Sequence, residues 1–272
     1  MSLEEIQRLL TTHKISPNKL LGQNFMVEPA FYPKLCEYAA LNASDVVLDA
    51  GAGFGFLSRF LSDKCSAVVA VEKDPQLVLF LRRHMRNFDN VTVIEGDVLK
   101  VHLPPFNKVI AIPPYYLSSQ LVMWVLQREV DCAVMIVQKE FAQRLVAPVG
   151  SEEYGWLTVV SQHLAKSELL DVVSKDKFYP PPEVDSVILR LTPWVTKPFE
   201  VKDEASFVRL TKWLFTERNK KLSKALVPFL KSNCKLSKQE AEKLAQTLQH
   251  HERRVRELSP PEFGVIANAL PN

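Results

Sequence analysis

The chain has 272 residues, 47% hydrophobic and 24% charged, the composition of an ordinary soluble globular protein with room for one large domain or one domain and an appendage. No apolar run reaches the length of a membrane span, and the acidic opening Met1-Ser2-Leu3-Glu4-Glu5 lacks a signal-peptide pattern, so a cytoplasmic protein is expected. Four scattered cysteines (Cys36, Cys65, Cys132, Cys234) without a CxxC pair, and few histidines, argue against a disulfide framework and against a metal site.

The net charge of +3 is unevenly spread. Residues 201–256 hold 14 Lys/Arg against 6 Asp/Glu, a local +8, while the rest holds 20 against 25, about −5. A basic module facing a polyanion is one reading of this asymmetry; a solvated helical surface is the other.

Residues 1–18 open with a helical pattern and end in Ser16-Pro17-Asn18. A basic-to-polar segment without a clear period follows, Lys19-Leu20-Leu21-Gly22-Gln23-Asn24-Phe25-Met26, and then a helix over 29–41. Val46-Val47-Leu48-Asp49-Ala50 is a short continuous apolar run of the kind found in central parallel strands. It leads through Gly51-Ala52-Gly53-Phe54-Gly55 into a helix over 56–61. A second strand, 67–71, ends in Glu72; Asp74-Pro75 starts an arginine-rich helix to residue 86; a third strand, 91–94, ends in Glu95-Gly96-Asp97. A strand over 107–112, a helix over 118–128, a strand over 132–137 and a helix over 139–146 complete the alternation, which predicts a doubly wound parallel α/β sheet.

Beyond Gly150 the pattern changes. Residues 157–160 read as helix and 168–173 as strand; Phe178 to Val184 is an extended loop because its three prolines exclude helix. Residues 187–191 alternate and should close the sheet antiparallel. After a linker, Pro193 to Pro198, only helices are predicted: 204–216, 219–231, 237–248 and 260–270. The expected division is therefore a Rossmann-like domain over 1–198, with 1–28 as an N-terminal segment, and a smaller basic all-helical domain over 199–272.

Three strand ends carry candidate ligands. The glycine loop permits close backbone approach, and the next helix start offers free N–H groups to a pyrophosphate or a carboxylate. Its G-x-G-x-G spacing tilts away from NAD. Glu72, some twenty residues past Gly51, stands where an acid grips ribose hydroxyls, and Asp97 stands where a carboxylate can accept from an adenine amine. The set suits S-adenosylmethionine better than a dinucleotide. A fourth strand end, Ile112-Pro113-Pro114-Tyr115, joins two prolines that cannot donate ladder bonds to an aromatic ring able to stack on a base.

With these residues in view, the chain resembles the small-subunit rRNA adenine N6,N6-dimethyltransferases of the KsgA type across nearly its whole length. Leu21 to Met26, Gly51 to Gly55, Glu72, and Gly96-Asp97-Val98-Leu99-Lys100 look like that family's cofactor motifs. Gln138 to Ala142 with Arg144-Leu145, Tyr154-Gly155-Trp156-Leu157, Phe178 to Ser186, and Leu214 to Lys221 resemble its later signatures. The resemblance implies that Gln23, Asn24, Met26, Gly51, Gly53, Glu72, Lys73, Asp97, Val98 and Ile112 bind S-adenosylmethionine. Within that set, Asn24 and Met26 line the sulfonium side, Glu72 holds the ribose and Asp97 the adenine amine. It also implies a catalytic set of Ile112, Pro113, Pro114, Tyr115 and Phe178, with Tyr115 stacking on the target adenine and Phe178 flanking it, and two methyl groups placed on each of two adjacent adenines.

A prokaryotic or archaeal source, a monomer, and an assembling small ribosomal subunit as partner are expected on the same ground. One position departs from the pattern. Where the family reads Asn-Leu-Pro-Tyr, this chain reads Ile-Pro-Pro-Tyr, and isoleucine cannot accept a hydrogen bond; a water or Ser118 is the candidate substitute. The alternatives are a feebly active or non-enzymatic assembly factor on the same fold, and an adenine methyltransferase acting on another RNA or DNA.

Overall fold

The computed structural model describes residues 2–18 and 21–271. Lys19 and Leu20, the first two residues of the basic-to-polar segment, lie outside the described residues. The elements in chain order are α1 (Leu3–Thr12), β1 (Phe25–Met26), α2 (Phe31–Tyr38), β2 (Val46–Ala50), α3 (Phe56–Ser62), β3 (Ala67–Glu72), α4 (Pro75–His84) and β4 (Val91–Glu95). They continue with β5 (Lys108–Ala111), α5 (Ser118–Leu126), β6 (Cys132–Gln138), α6 (Lys139–Leu145), α7 (Trp156–Leu164), β7 (Ala165–Val173), β8 (Phe178–Tyr179) and β9 (Ser186–Pro193). The last four helices are α8 (Glu204–Phe215), α9 (Leu222–Asn233), α10 (Lys238–Thr247) and α11 (Pro260–Ala269). Among the described residues no helix is long and apolar enough to cross a membrane.

The chain forms two compact units, one through Ala142 with Ser167–Pro193, the other Gln143–Lys166 with the chain from Trp194 onward. The first is built on a seven-stranded sheet of order β4-β3-β2-β5-β6-β9-β7. Strands β4, β3, β2, β5 and β6 run parallel, and β9 pairs antiparallel with β6, as its alternating sequence anticipates. The inner strands are apolar on both faces because helices cover both: Val47, Val68, Ile110 and Val134 join Leu35 of α2 and Leu57 and Leu61 of α3 in one core. Helix α1, capped by Ser2 accepting from the Glu5 N–H at 3.3 Å, buries Ile6 and Leu10 against Phe54 and Leu77. In α4, Asp74 caps the Gln76 N–H at 2.9 Å and Pro75 takes the first helical position.

One pairing has no counterpart in the sequence reading. Phe25 and Met26 of β1 pair antiparallel with Tyr179 and Phe178 of β8. Two-residue strands carry no period, and the prolines after Tyr179 mask the extended partner.

The second unit packs α9 on α10, and α7 on α8 and α11. The Tyr154 hydroxyl donates to the Leu258 carbonyl at 2.7 Å, and Arg218 donates to the carbonyls of Ser151 and Glu152 at 2.7 and 2.8 Å. The division differs from two successive segments: 143–166, which the chain-order reading assigns to the first domain, lies with the C-terminal helices. Helix α7 buries Leu157, Val159 and Val160, and its pattern reveals an apolar face without revealing which unit covers it.

The sheet's order reverses between β2 and β5, and the amino ends of these two strands are tied together. The buried Asp45 carboxylate lies 2.8 Å from Lys108 Nζ and accepts from Asn107 Nδ2 at 2.8 Å; Lys108 also donates to the Ala40 carbonyl at 2.6 Å. Burial works against the Asp45 charge, but these partners outweigh it and hold the carboxyl below its usual range. Lys108→Met leaves that carboxylate unbalanced and is expected to cost about 3–5 kcal/mol of unfolding free energy, with Asp45→Asn added to it restoring part of the loss. Urea unfolding followed by circular dichroism measures both; a single variant as stable as the parent removes this tie from the account of the reversal point.

Candidate active site

The carboxyl ends of β2, β3, β4 and β5 open on one cleft of about 740 Å³, at the point where the strand order reverses. Gly51 and Ala52 turn the chain away from β2 by donating to the Val71 carbonyl at 2.9 and 3.0 Å. Gly51 has a φ of +82°, and a Cβ there would come 2.8 Å from Pro114 Cδ. Only glycine both adopts this conformation readily and lets the loop touch the proline corner.

Glu72 ties the glycine loop to the end of β3. Its Oε2 accepts the Gly53 N–H, and its Oε1 accepts those of Lys73 and Asp74, all at 2.8 Å. A carboxylate has about four lone-pair sites, so one remains for a ligand hydroxyl. Burial raises the Glu72 pKa, and the three backbone donors offset only part of that rise. Asp97 accepts the Leu99 N–H at 3.1 Å and lies 3.4 Å from Lys73 Nζ. Val71, Leu77 and Val98 add apolar lining to the same cleft.

The N-terminal segment completes the lining with Gln23 and Asn24. Gln23 donates to Asp74 Oδ2 and accepts the Asn18 N–H, both at 2.8 Å, so its amide fixes the segment onto the start of α4. Asn24 donates to the Gly22 carbonyl at 3.2 Å. Met26 lines a second cleft of about 430 Å³, which shares Asn24, Phe25, Gly51, Gly53 and Ile112 with the first.

At the fourth strand end, Ile112, Pro113, Pro114 and Tyr115 all line the larger cleft. The Tyr115 hydroxyl is 2.6 Å from the hydroxyl of buried Ser186, at the start of β9. Burial pushes the Tyr115 phenol up to about 12, against the bond to Ser186. Phe178 stands apart from the other predicted site residues. The β1–β8 pairing turns it into the core, 3% exposed, where it lines neither cleft and meets the Tyr115 ring edge-on at 6.2 Å. Ser118, the candidate substitute acceptor, is buried at the start of α5 and lines neither cleft.

Sequence reasoning missed Ser186 and Asp49 as site residues. Asp49 lines the smaller cleft, accepts from Ser58 Oγ at 2.6 Å and is pushed up to about 7, chiefly by burial and further by the nearby Glu72 charge. An acid inside a continuous apolar strand was the available signal, since a buried carboxylate needs a partner. Ser186 gave no such signal, because its partner Tyr115 is 71 residues away. Among the described residues no cluster of His, Cys, Asp or Glu is placed to hold a metal ion.

The residues present fit S-adenosylmethionine: acceptors for a ribose and an adenine amine, an apolar lining for the ring, and a carboxylate in the adjoining cleft that a cationic group would keep ionised. Fold and site together define an S-adenosylmethionine-dependent methyltransferase. The chain matches the ribosomal RNA adenine dimethylase family over residues 15–263, and it belongs to that family.

A probable ribosomal RNA small subunit methyltransferase A of Thermococcus kodakarensis is 38% identical over 265 residues, covering 96% of this chain and 93% of that one. The ribosomal RNA small subunit methyltransferase A of Enterococcus faecalis is 35% identical over 276 residues, covering 97% and 94%. The crystal structure of a dimethyladenosine transferase from Plasmodium falciparum superposes with a TM-score of 0.77 at 26% identity, covering 89% of this chain and 95% of that one.

Asp49 generates a pH dependence. Its carboxyl is neutral well below pH 7 and ionised above, so affinity for the cationic cofactor should rise with pH and level off above about 7, falling by up to about tenfold per unit below it. Asp49→Asn should bind weakly with a flat profile. Calorimetric titration with S-adenosylmethionine across this range checks both; pH-independent binding by the parent protein removes Asp49 from the cofactor site.

Proposed function

We propose that this chain transfers methyl groups from S-adenosylmethionine to N6 of two adjacent adenines in small-subunit rRNA during ribosome assembly. The observation that carries the reading is the contact of Gly51 with Pro114, which sets the glycine loop against the proline–tyrosine corner at the edge of one cleft. The relatives named as small-subunit rRNA methyltransferases support the choice of RNA.

When bound, the cofactor supplies a methyl group on a positively charged sulfur that leaves as a neutral thioether. Gly51, Gly53, Gln23, Asn24 and Met26 hold its amino-acid side, and Asp49 balances its positive charge. Glu72 takes a ribose hydroxyl on its remaining lone pair, and Asp97 takes the adenine amine, with Lys73 beside it and Val98 against the ring. Tyr115, its ring fixed through Ser186, offers a face to an adenine extruded from the RNA stack. The backbone carbonyls of Ile112 and Pro113 accept from N6 and turn its lone pair toward the methyl group. Phe178 backs Tyr115. No side-chain base is required, because the amine proton becomes acidic only after transfer and can leave to water.

Within this reading the unit through Ala142 with Ser167–Pro193 is the methyltransferase domain, its first 28 residues joining cofactor and RNA recognition, and the basic helices over 199–272, with 143–166 packed in the same unit, form a domain that binds RNA. Part of the local positive charge is engaged in ion pairs: Lys220 with Glu217, Lys221 with Glu252, and Arg253 with Glu262. Lys224, Lys231, Lys235 and Arg256 are exposed and form no ion pair among the described residues, which suits them to phosphate contacts. Binding to small subunits should weaken as salt rises, and removing each contacting cation should lower the log–log slope by about 1. Filter binding of Lys224→Gln and Arg256→Gln across a salt series reads this; slopes equal to the parent's assign the RNA surface elsewhere.

Incubation of the protein with labelled S-adenosylmethionine and undermethylated small subunits should place label on adenine, carried out in the cytoplasm-like reducing conditions that keep its four free cysteines reduced. The active species should sediment with the mass of one chain. Ile112 favours a second reading, a non-enzymatic assembly factor on this fold, since one preorganised acceptor is missing and such a loss slows transfer by about 10²–10³. Tight subunit binding without label at any enzyme concentration selects that second reading.

A further inference from the structure

The proline corner ends in two adjacent tyrosines that the fold treats differently. A short 3₁₀ turn over Tyr115–Leu117 carries them. With three residues per turn, successive side chains leave it about 120° apart. Tyr115 turns toward Ser186 and Phe178, and Leu117 is buried. Tyr116 is the one left open: it lines the larger cleft and is still 52% exposed. Among the described residues its hydroxyl has no hydrogen-bond partner and its ring no aromatic neighbour. The N-terminal segment braces it, because Gly22, at a φ of +57°, lies so close that a Cβ there would come 3.2 Å from Tyr116 Cδ1. An aromatic ring is thus held at the cleft mouth against backbone, with half its surface in water.

Taking an adenine out of the RNA stack leaves its neighbour with one face bare. That neighbour is joined to the target by a single phosphodiester, so it stays at the rim when the target enters the cleft. A base laid on an exposed aromatic ring gains affinity whatever its hydrogen-bonding edge, and a purine, with the larger π-face, gains more than a pyrimidine.

We propose that Tyr116 stacks on the nucleotide next to the target adenine, so that the chain selects an unpaired adenine with a purine on that side. The inference deepens the methyltransferase reading above and rests on it. Tyr115 takes the adenine that reacts, and Tyr116 replaces the stacking partner that its neighbour has lost. Two adjacent adenines satisfy both rings.

The test uses small subunits assembled on rRNA with one target adenine, flanked on either side in turn by a purine or by an abasic nucleotide, and follows methyl transfer from labelled S-adenosylmethionine. On purine-flanked rRNA, Tyr116→Ala should lower kcat/KM about tenfold, and Tyr116→Phe should match the parent. On rRNA abasic at the stacked side the parent should fall by a similar factor, and Tyr116→Ala should fall no further, since the contact is already gone. Calorimetric affinity of both variants for S-adenosylmethionine should equal the parent's. An Ala variant as active as the parent, losses that multiply with the abasic losses on both sides, or a matching loss of cofactor affinity overturns the inference while the methyltransferase reading stands. Transfer by the parent to no adenine overturns that reading and the inference with it.

Discussion

The site depends on one buried carboxylate. Glu72 accepts three backbone N–H groups, from Gly53 in the glycine loop and from Lys73 and Asp74 at the turn into α4. The Gly53 N–H would otherwise be unpaired where it is buried, and the carboxylate would otherwise be an isolated buried charge. Each side of the arrangement makes the other tolerable. The loop after β2 and the turn after β3 are therefore held as one piece, and the cleft between them keeps its shape through hydrogen bonds as well as side-chain packing.

Around that piece the sheet supplies position. The Asp45–Lys108 tie sets the amino ends of β2 and β5, and the parallel ladders carry that register to the carboxyl ends, where Gly51 and the proline corner meet. Asp49 sits between the two arrangements, one residue inside β2, and its proton affinity follows from the same burial that makes the strand central.

Much of this was legible in the sequence because its physics is local. A central parallel strand is a short apolar run, its end is marked by the first residue that cannot continue it, and Glu72, Asp97 and Pro113 each stand at such an end. What was not legible depends on distant partners. The β1–β8 ladder joins residues some 150 positions apart through two residues on each side, too few for a period to show. Phe178 was read as flanking the substrate, whereas that ladder turns it inward against Tyr115. Gln23 is well placed in the cleft lining, yet its amide is engaged by Asn18 and Asp74, a fact no motif carries. Likewise the amphipathic pattern of α7 predicts a helix but is silent on which unit buries it, so the contribution of 143–166 to the helical unit emerged only from the packing. The charge count behaves the same way: it locates a basic region, and the structure then separates cations spent on ion pairs and carbonyls from those left at the surface.

The β1–β8 ladder has a consequence for how stability is distributed through the first unit. Elements open locally with free energies that follow their buried area and hydrogen bonding, and a ladder two residues deep stands near the low end of that range. Phe25, one of the four residues of that ladder, and its neighbour Asn24 line both clefts. The seven-stranded sheet can therefore stay closed while the segment bordering both clefts frays on a much faster timescale. Amide exchange in this molecule would be heterogeneous along the site itself, slow at Val71 and Ala111 and fast at Phe25.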